Sequence, residues 1–181
     1  MSTVTGPSVQ VASGAYLDLL DPDPAVLSID DIACALSKLC RYTGHCREFY
    51  SVAQHSVLCA AHAPADEIWN ALMHDAAEAI VNDISRPLKQ LLPDYRVVEK
   101  RIEKVVFSRF GVTMSPEVKR VDLEALATER RDLMPDTGEA WGVIDGVDPW
   151  PEAIDPWLPD KACRTFLIWT RVHGKGREAS S

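Results

Sequence analysis

The sequence contains no Cys-x-x-Cys pair, and its five cysteines (Cys34, Cys40, Cys46, Cys59 and Cys163) are odd in number. That argues against a disulfide framework and against a thiolate zinc site, so they read as small core residues or reduced thiols. No apolar run approaches the roughly 18 uncharged residues of a membrane span, and the first twenty residues lack the basic start and apolar block of a signal peptide. The expected location is therefore cytoplasmic. Positive charge is also scarce: 19 Lys+Arg against 27 Asp+Glu leave a formal charge of −8. A nucleic-acid polymer or an anionic membrane surface needs a positive field, so neither is expected as a partner, although a local basic pocket is compatible with this balance. Strand alternation of useful length, internal repeats and low-complexity tracts are missing too.

What is present is apolar material. With 181 residues, 46% hydrophobic and 25% charged, the chain can bury a sizeable core in one compact domain. Residues 1–29 are rich in Ser, Gly, Pro and Asp and read as an irregular lead-in. A helical domain is expected over 30–172. Asp30 or Asp31 can cap a first helix with Ile32, Ala35, Leu36 and Leu39 on one stripe. Ser51-Val52-Ala53-Gln54 fits a capping box, which predicts a second helix from Val52 to about Ala63. Helical spacing of Ile68, Trp69, Leu72, Met73 and Ala76 predicts a continuous helix to about Val81, followed by turn chemistry at Asn82–Pro87.

A short helical turn is expected at Leu88–Leu92, and an amphipathic helix through Val97, Val98, Ile102, Val105 and Val106 that Gly111 can end. Ser115-Pro116 opens another, which stops before Pro135. Residues 135–160 hold Trp141, Trp150, Trp157 and five prolines without a regular period, and read as a wrapping segment packed by its tryptophans. A last helix is expected over Lys161–Val172, then a mobile tail at 173–181. The fold class is all-α, a single-domain helical bundle.

The segment richest in chemistry is His74-Asp75-Ala76-Ala77-Glu78. On a continuous helix His74 and Glu78 share one face, while Asp75 lies about 100° round from His74. Both can reach one ion only if neighbouring helices complete its shell, and two donors are available: His55 on the preceding helix and Asp122 on the helix opened by Pro116. Two imidazoles and two carboxylates suit a borderline divalent ion such as Mn²⁺, Fe²⁺, Co²⁺ or Zn²⁺, with Mg²⁺ the poorer match to imidazole. Without further context, His-Asp also fits a partly exposed His beside a solvated Asp.

Further context comes from Arg41-Tyr42-Thr43-Gly44-His45, Ser51-Val52-Ala53-Gln54-His55-Ser56, His74-Asp75-Ala76-Ala77-Glu78, Asn82-Asp83-Ile84-Ser85-Arg86-Pro87-Leu88-Lys89 and Val121-Asp122. This ordered set, within residues 30–134, resembles the HD-domain phosphohydrolases, in particular the compact branch of bacterial 5′-deoxynucleotidases and phage-type dATP triphosphohydrolases. The resemblance implies an HD-type helical fold, with His55, His74, Asp75 and Asp122 as ligands of a divalent ion. It makes Glu78 and Asp83 the catalytic acidic pair, and Arg41 and Lys89 the phosphate contacts. Tyr42 stands where relatives often place a Trp against the sugar. The 19-residue spacing between His55 and His74 is shorter than in the deoxynucleotidases.

The implied substrate is a small-molecule nucleotide. Glu78 would orient the attacking water and Asp83 would donate to the leaving oxygen, or the two roles are exchanged. Three readings follow: release of phosphate from (deoxy)nucleoside 5′-monophosphates, hydrolysis of a dNTP such as dATP, or nucleotide binding without turnover. Association of copies through exposed helices is left open. Of the remaining candidates, His45 and His62 read as structural or exposed, His173 as solvated, and Arg86 as a third phosphate contact or a loop charge. The Glu129-Arg130-Arg131-Asp132 run reads most simply as surface ion pairs; the alternative for Glu129, seven residues beyond Asp122, is to face the same cavity.

Overall fold

The computed structural model describes residues 6–174. Its architecture is all-α apart from one small hairpin, in which β1 (Ser8–Gln10) pairs antiparallel with β2 (Tyr16–Asp18), Val9 opposite Leu17. The lead-in thus has structure that its composition concealed. Leu17 and Leu27 are buried, Ser13 N–H donates to Asp31 at 2.6 Å, and Arg101 donates to the Leu19 carbonyl at 2.9 Å.

Helix α1 (Ile29–Leu36) begins two residues earlier than an Asp30 cap would have started it, and three earlier than an Asp31 cap. Ser28 is the cap: its Oγ accepts from Asp31 N–H at 3.0 Å and donates to Asp31 Oδ2 at 2.6 Å. Asp31 reciprocates the cap instead of forming it. Helix α2 (Val52–His62) is capped by Ser51 as expected, Gln54 N–H donating to its hydroxyl at 3.2 Å. The Gln54 side chain, however, leaves the box and holds the wrapping segment, donating to the Asp155 carbonyl at 2.8 Å and accepting from Trp157 N–H at 2.7 Å.

The helix expected to run on to Val81 is broken. Helix α3 (Ile68–Met73) gives way to a tighter turn, with Ala76 N–H on the Met73 carbonyl and Glu78 N–H on the Asp75 carbonyl, before α4 (Glu78–Val81). In that i→i+3 geometry, side chains three apart eclipse. Glu78 therefore stands over Asp75 instead of His74. Asn82, at φ 75, ends α4, and α5 (Arg86–Leu91) and α6 (Pro93–Phe110) follow, the latter stopped by Gly111 in the left-handed region at φ 60. Helix α7 (Pro116–Leu133) is capped by Ser115, and α8 (Pro159–His173) completes the bundle.

Helix α2 packs against α1, α3, α7 and α8, so it is buried nearly all round and carries polar Gln54, His55 and Ser56 into the core. The 135–160 segment wraps as expected, with a 3-10 turn at Gly142–Ile144. Its backbone is held by side chains of α7: Trp150 N–H on Thr128 at 2.8 Å, Ile154 N–H on Asp132 at 2.9 Å, and Arg131 on the Trp150 and Glu152 carbonyls. Trp150 stacks on His62 at 3.7 Å between ring centres, which makes His62 structural. Of the tail expected at 173–181, residues 175–181 lie outside the described residues. Among the described residues no helix is long and apolar enough to cross a membrane.

Candidate metal centre and adjoining cavity

Three elements deliver the predicted ligands to one point. Helix α2 supplies His55, the end of α3 supplies His74 and Asp75, and α7 supplies Asp122. His55 Nε2 lies 3.3 Å from His74 Nε2, 3.4 Å from Asp75 Oδ2 and 3.3 Å from Asp122 Oδ1; His74 Nε2 lies 3.3 Å from Asp75 Oδ2 and 3.8 Å from Asp122 Oδ1. Donor atoms about 2.0–2.2 Å from a shared ion stand roughly 3–3.6 Å apart, so these separations suit one ion.

The hydrogen bonds behind the rings fix which nitrogen faces inward. His74 Nδ1 meets the Ala71 carbonyl at 2.7 Å and His55 Nδ1 meets Glu129 Oε1 at 2.7 Å. Both partners are acceptors, so each Nδ1 carries its hydrogen and each Nε2 turns a lone pair to the centre. In that neutral form two nitrogens and two carboxylate oxygens face one another without a donor, a set that a cation satisfies; without one, the carboxylates favour a further proton on the imidazoles. Burial opposes ionisation of Asp122, yet the two imidazoles hold its carboxyl well below the usual range. Burial likewise works against charge on His74, while Asp75 and Asp122 raise its affinity for a proton.

Cys59, one turn after His55, places its sulfur 3.6 Å from His55 Nε2. His55, Cys59, His74 and Asp122 offer ligand atoms all within 4.8 Å of one another, a group that could hold a metal ion. Burial pushes the Cys59 thiol up to about 11, so it is a poorer ligand than the carboxylates. The sequence reads Cys59 as a small core residue or a reduced thiol and not as a ligand; its four-residue spacing from His55 is the available signal.

Glu129 corrects the reading of the Glu129–Asp132 run as surface pairs. It is fully buried, two turns beyond Asp122 on the face of α7 that meets α2. Besides His55 it receives Arg41 Nε at 3.2 Å, an Arg41 terminal nitrogen at 3.1 Å and the Tyr42 hydroxyl. Burial disfavours its charge, but Arg41 and His55 outweigh that and hold its carboxyl down at about 2. In the rest of the run, Arg131 pairs with adjacent Asp132 at 2.6 Å, and Arg130 donates to the Pro135 and Glu139 carbonyls.

Arg41 and Tyr42 belong to a 3-10 turn (Arg41–Gly44) in which Tyr42 and Thr43 both adopt left-handed backbone, φ 57 and 55. Such a conformation costs on the order of 1–2 kcal/mol per residue. The Glu129 contacts of the two side chains offset it. Arg41 also reaches Asp75 at 3.5 Å, so it spans the buried carboxylate and the ligand set.

The centre opens on its carboxylate side, Asp122 being 35% and Asp75 21% exposed while His55 is sealed. Beyond lies a cavity of about 720 Å³, within the size range of small-molecule sites. Its lining includes the charged Glu78, Asp83, Arg86, Lys89, Arg96 and Lys100 together with Tyr42, Leu126, Trp141 and Val143. Lys89 sits 2.6 Å from Glu99 and 3.7 Å from Glu78. Burial, then Asp75 and Asp83, push the Glu78 carboxyl well above its ordinary value; burial raises Asp83 as well. The structure therefore gathers every predicted site residue around one centre and cavity, and adds Glu129, Cys59 and Trp141. His45 is exposed at the surface, and His173 lies at the end of α8 beside Trp169.

No family model matches the chain. Across 156 residues, 84% of this chain and 86% of the relative, it is 49% identical to the "Uncharacterized protein YfdR" of Escherichia coli (strain K12). It is also 36% identical over 113 residues to the "Uncharacterized protein RCAP_rcc00048" of Rhodobacter capsulatus, a match covering 57% of this chain and 58% of that one. Identity at the level of the first match, over most of both chains, is decisive for kinship: this protein belongs to the YfdR family.

Proposed function

We propose that this protein is a metal-dependent phosphohydrolase of the HD-domain type that acts on nucleotides, releasing phosphate from (deoxy)nucleoside 5′-monophosphates. One observation carries the reading: His55, His74, Asp75 and Asp122 turn four acceptor atoms toward one point at the floor of a nucleotide-sized cavity. Mixed imidazole and carboxylate donors favour Mn²⁺, Fe²⁺, Co²⁺ or Zn²⁺ over Mg²⁺. When bound, such an ion supplies Lewis acidity, polarising a phosphoryl oxygen and acidifying water.

The chain's own residues do the rest. Arg41 and Lys89 offset the phosphate's charge, which a protein of formal charge −8 would otherwise repel. Glu78 and Asp83 flank the centre with raised carboxyls, so one can hold a proton for the leaving oxygen while the other orients water. Tyr42, Leu126, Trp141 and Val143 provide apolar surface for sugar and base. A second reading, dNTP hydrolysis, is favoured by Arg86, Arg96 and Lys100, which line the same cavity with no ion pair among the described residues and could take further phosphates.

The test is an assay of the purified protein against dNMPs, NMPs and dNTPs with Mn²⁺, Co²⁺, Zn²⁺ and Mg²⁺, identifying each product. Phosphate from dNMPs supports the first reading, and triphosphate or pyrophosphate from dNTPs the second. His74→Ala and Asp75→Ala should abolish turnover in folded protein. Wild-type rates in either variant would refute the centre, and nucleotide binding without product under all metals would make the protein a non-catalytic binder.

A further inference from the structure

Cys40 and Cys46 take no part in the chemistry described above, yet they bracket part of it. Their sulfurs lie 3.6 Å apart, and both are free thiols. Between them run Arg41 to His45, of which Arg41, Tyr42 and Thr43 line the cavity. Among the described residues no other two thiols hydrogen-bond to each other.

Both ends of this loop are anchored. Cys40 bridges to Ser51, and the next N–H, that of Arg41, donates to the Tyr50 carbonyl at 2.9 Å. After Cys46, the N–H of Arg47 donates to the Leu133 carbonyl at 2.8 Å. The two sulfurs thus meet because the backbone on either side is fixed, while Tyr42 and Thr43 between them sit in strained left-handed conformations.

We propose that Cys40 and Cys46 form a dithiol site which a hydroperoxide oxidises reversibly to an intrachain disulfide, closing a covalent ring around Arg41 and Tyr42. The sulfurs need to approach from 3.6 Å to about 2.05 Å. In the first step one thiolate attacks a peroxide oxygen; the O–O bond breaks, the departing oxygen takes a proton and leaves as water from hydrogen peroxide or as an alcohol from an organic hydroperoxide, and the sulfur becomes a sulfenic acid. In the second, the other sulfur attacks the sulfenic sulfur, the S–S bond forms, and the displaced hydroxyl leaves as water with the second thiol's proton. Two thiols lose two electrons in all, and one hydroperoxide accepts them. Either sulfur can make the first attack, and the other then performs the resolving step.

The ring would hold Arg41 and Tyr42 where Glu129 receives them, and it would restrict the unfolded chain, so oxidation should stabilise the fold. To test this, the full chain is treated with hydrogen peroxide, denatured, alkylated and cut with trypsin. Cleavage after Lys38, Arg41 and Arg47 places the two cysteines on separate peptides, 39–41 and 42–47. The expected results are an intact-mass loss of about 2 Da, the two peptides joined until dithiothreitol is added, and a melting temperature roughly 5 °C higher in the oxidised form. Cys40→Ser and Cys46→Ser should show neither change. The proposal is overturned if the peptides are never joined, if the bridge involves another cysteine, if the mass loss persists in Cys40→Ser, or if the joined form melts lower than the reduced one.

Discussion

Glu129 Oε1 accepts the Nδ1 proton of His55 at 2.7 Å, and through its other oxygen the same carboxylate receives Arg41 and Tyr42. One buried side chain therefore sets the orientation of an inward-facing imidazole and the position of the cavity wall.

Removing that charge has two separable consequences. Glu129→Gln keeps an acceptor near His55 but leaves Arg41 buried without its main counter-ion. We expect destabilisation on the order of 3 kcal/mol by urea denaturation. In protein that still folds, affinity for Mn²⁺ or Zn²⁺ should drop by roughly 10- to 100-fold, read by competition with a chelator. Unchanged metal affinity would show that Glu129 does not orient His55 for an ion.

The same carboxyl sets an acid limit on stability. Its folded value, about 2, lies below the ordinary 4.5, so its contribution is fully present above pH 4.5 and is lost as pH falls through about 2. The amount at stake is on the order of 3 kcal/mol. His55 has the opposite sign: burial and Arg41 oppose its charge, but Cys59, Glu129 and Asp122 hold it well above 6.5, so its contribution is complete at acid pH and fades as pH rises. Urea midpoints of the metal-free protein should fall between pH 4.5 and 3, and fall less steeply in Glu129→Gln. Equal slopes would rule out Glu129 as the source.

How much of this was legible in the sequence follows from where each signal sits. Of the four candidate ligands, His55 and Asp122 were readable because each belongs to a helix with a clear cap, framed by Ser51 and by Ser115-Pro116, whereas His74 and Asp75 stood out as an adjacent pair at the end of an apolar helical stripe. The turn at His74–Ala77 was not readable, since Leu72, Met73 and Ala76 keep helical spacing through it and the tightening is imposed by packing. Glu129 was weighed as a surface charge because a charged tetrapeptide ordinarily lies on a solvated face; only its seven-residue distance from Asp122 hinted otherwise. The hairpin at Ser8–Asp18 escaped because three-residue strands are too short to show alternation.

Tyr42 bears on sugar selection, if the substrate is a nucleotide. Its hydroxyl is committed to Glu129, so the ring, not the phenol oxygen, faces the cavity. A ring against C2′ would bury a 2′-hydroxyl without a partner, costing on the order of 1–3 kcal/mol, or roughly 5- to 150-fold in selectivity. The ratio of kcat/KM for a deoxyribonucleotide over its ribonucleotide should exceed one in wild type, persist in Tyr42→Phe and collapse in Tyr42→Ala. A wild-type ratio near one would sink the idea.

Trp141 is the residue from which we expect base affinity to come. It reaches the cavity from the wrapping segment, with Tyr42 tilted against it at 6.0 Å and the Arg130 guanidinium over its ring at 5.3 Å. Those contacts hold the indole at an angle to Tyr42, leaving cavity-facing surface beside Leu126 and Val143. Stacking of a base on an aromatic ring is worth about 1–3 kcal/mol, so Trp141→Ala should raise KM for a nucleotide by roughly 5- to 150-fold. In the proposed reading the reacting phosphate is held at the ligand set and not at the indole, so kcat should change little. The control is 2-deoxyribose 5-phosphate, which carries the sugar and phosphate ester but no aromatic ring. Its KM should be the same in wild type and variant, whereas an equal loss with both substrates would mean that Trp141 supports the fold of the cavity and does not bind a base. Loss of the Arg130 contact costs only about 0.5–1 kcal/mol, so the variant should fold, and a thermal melt confirms that before the kinetics are read.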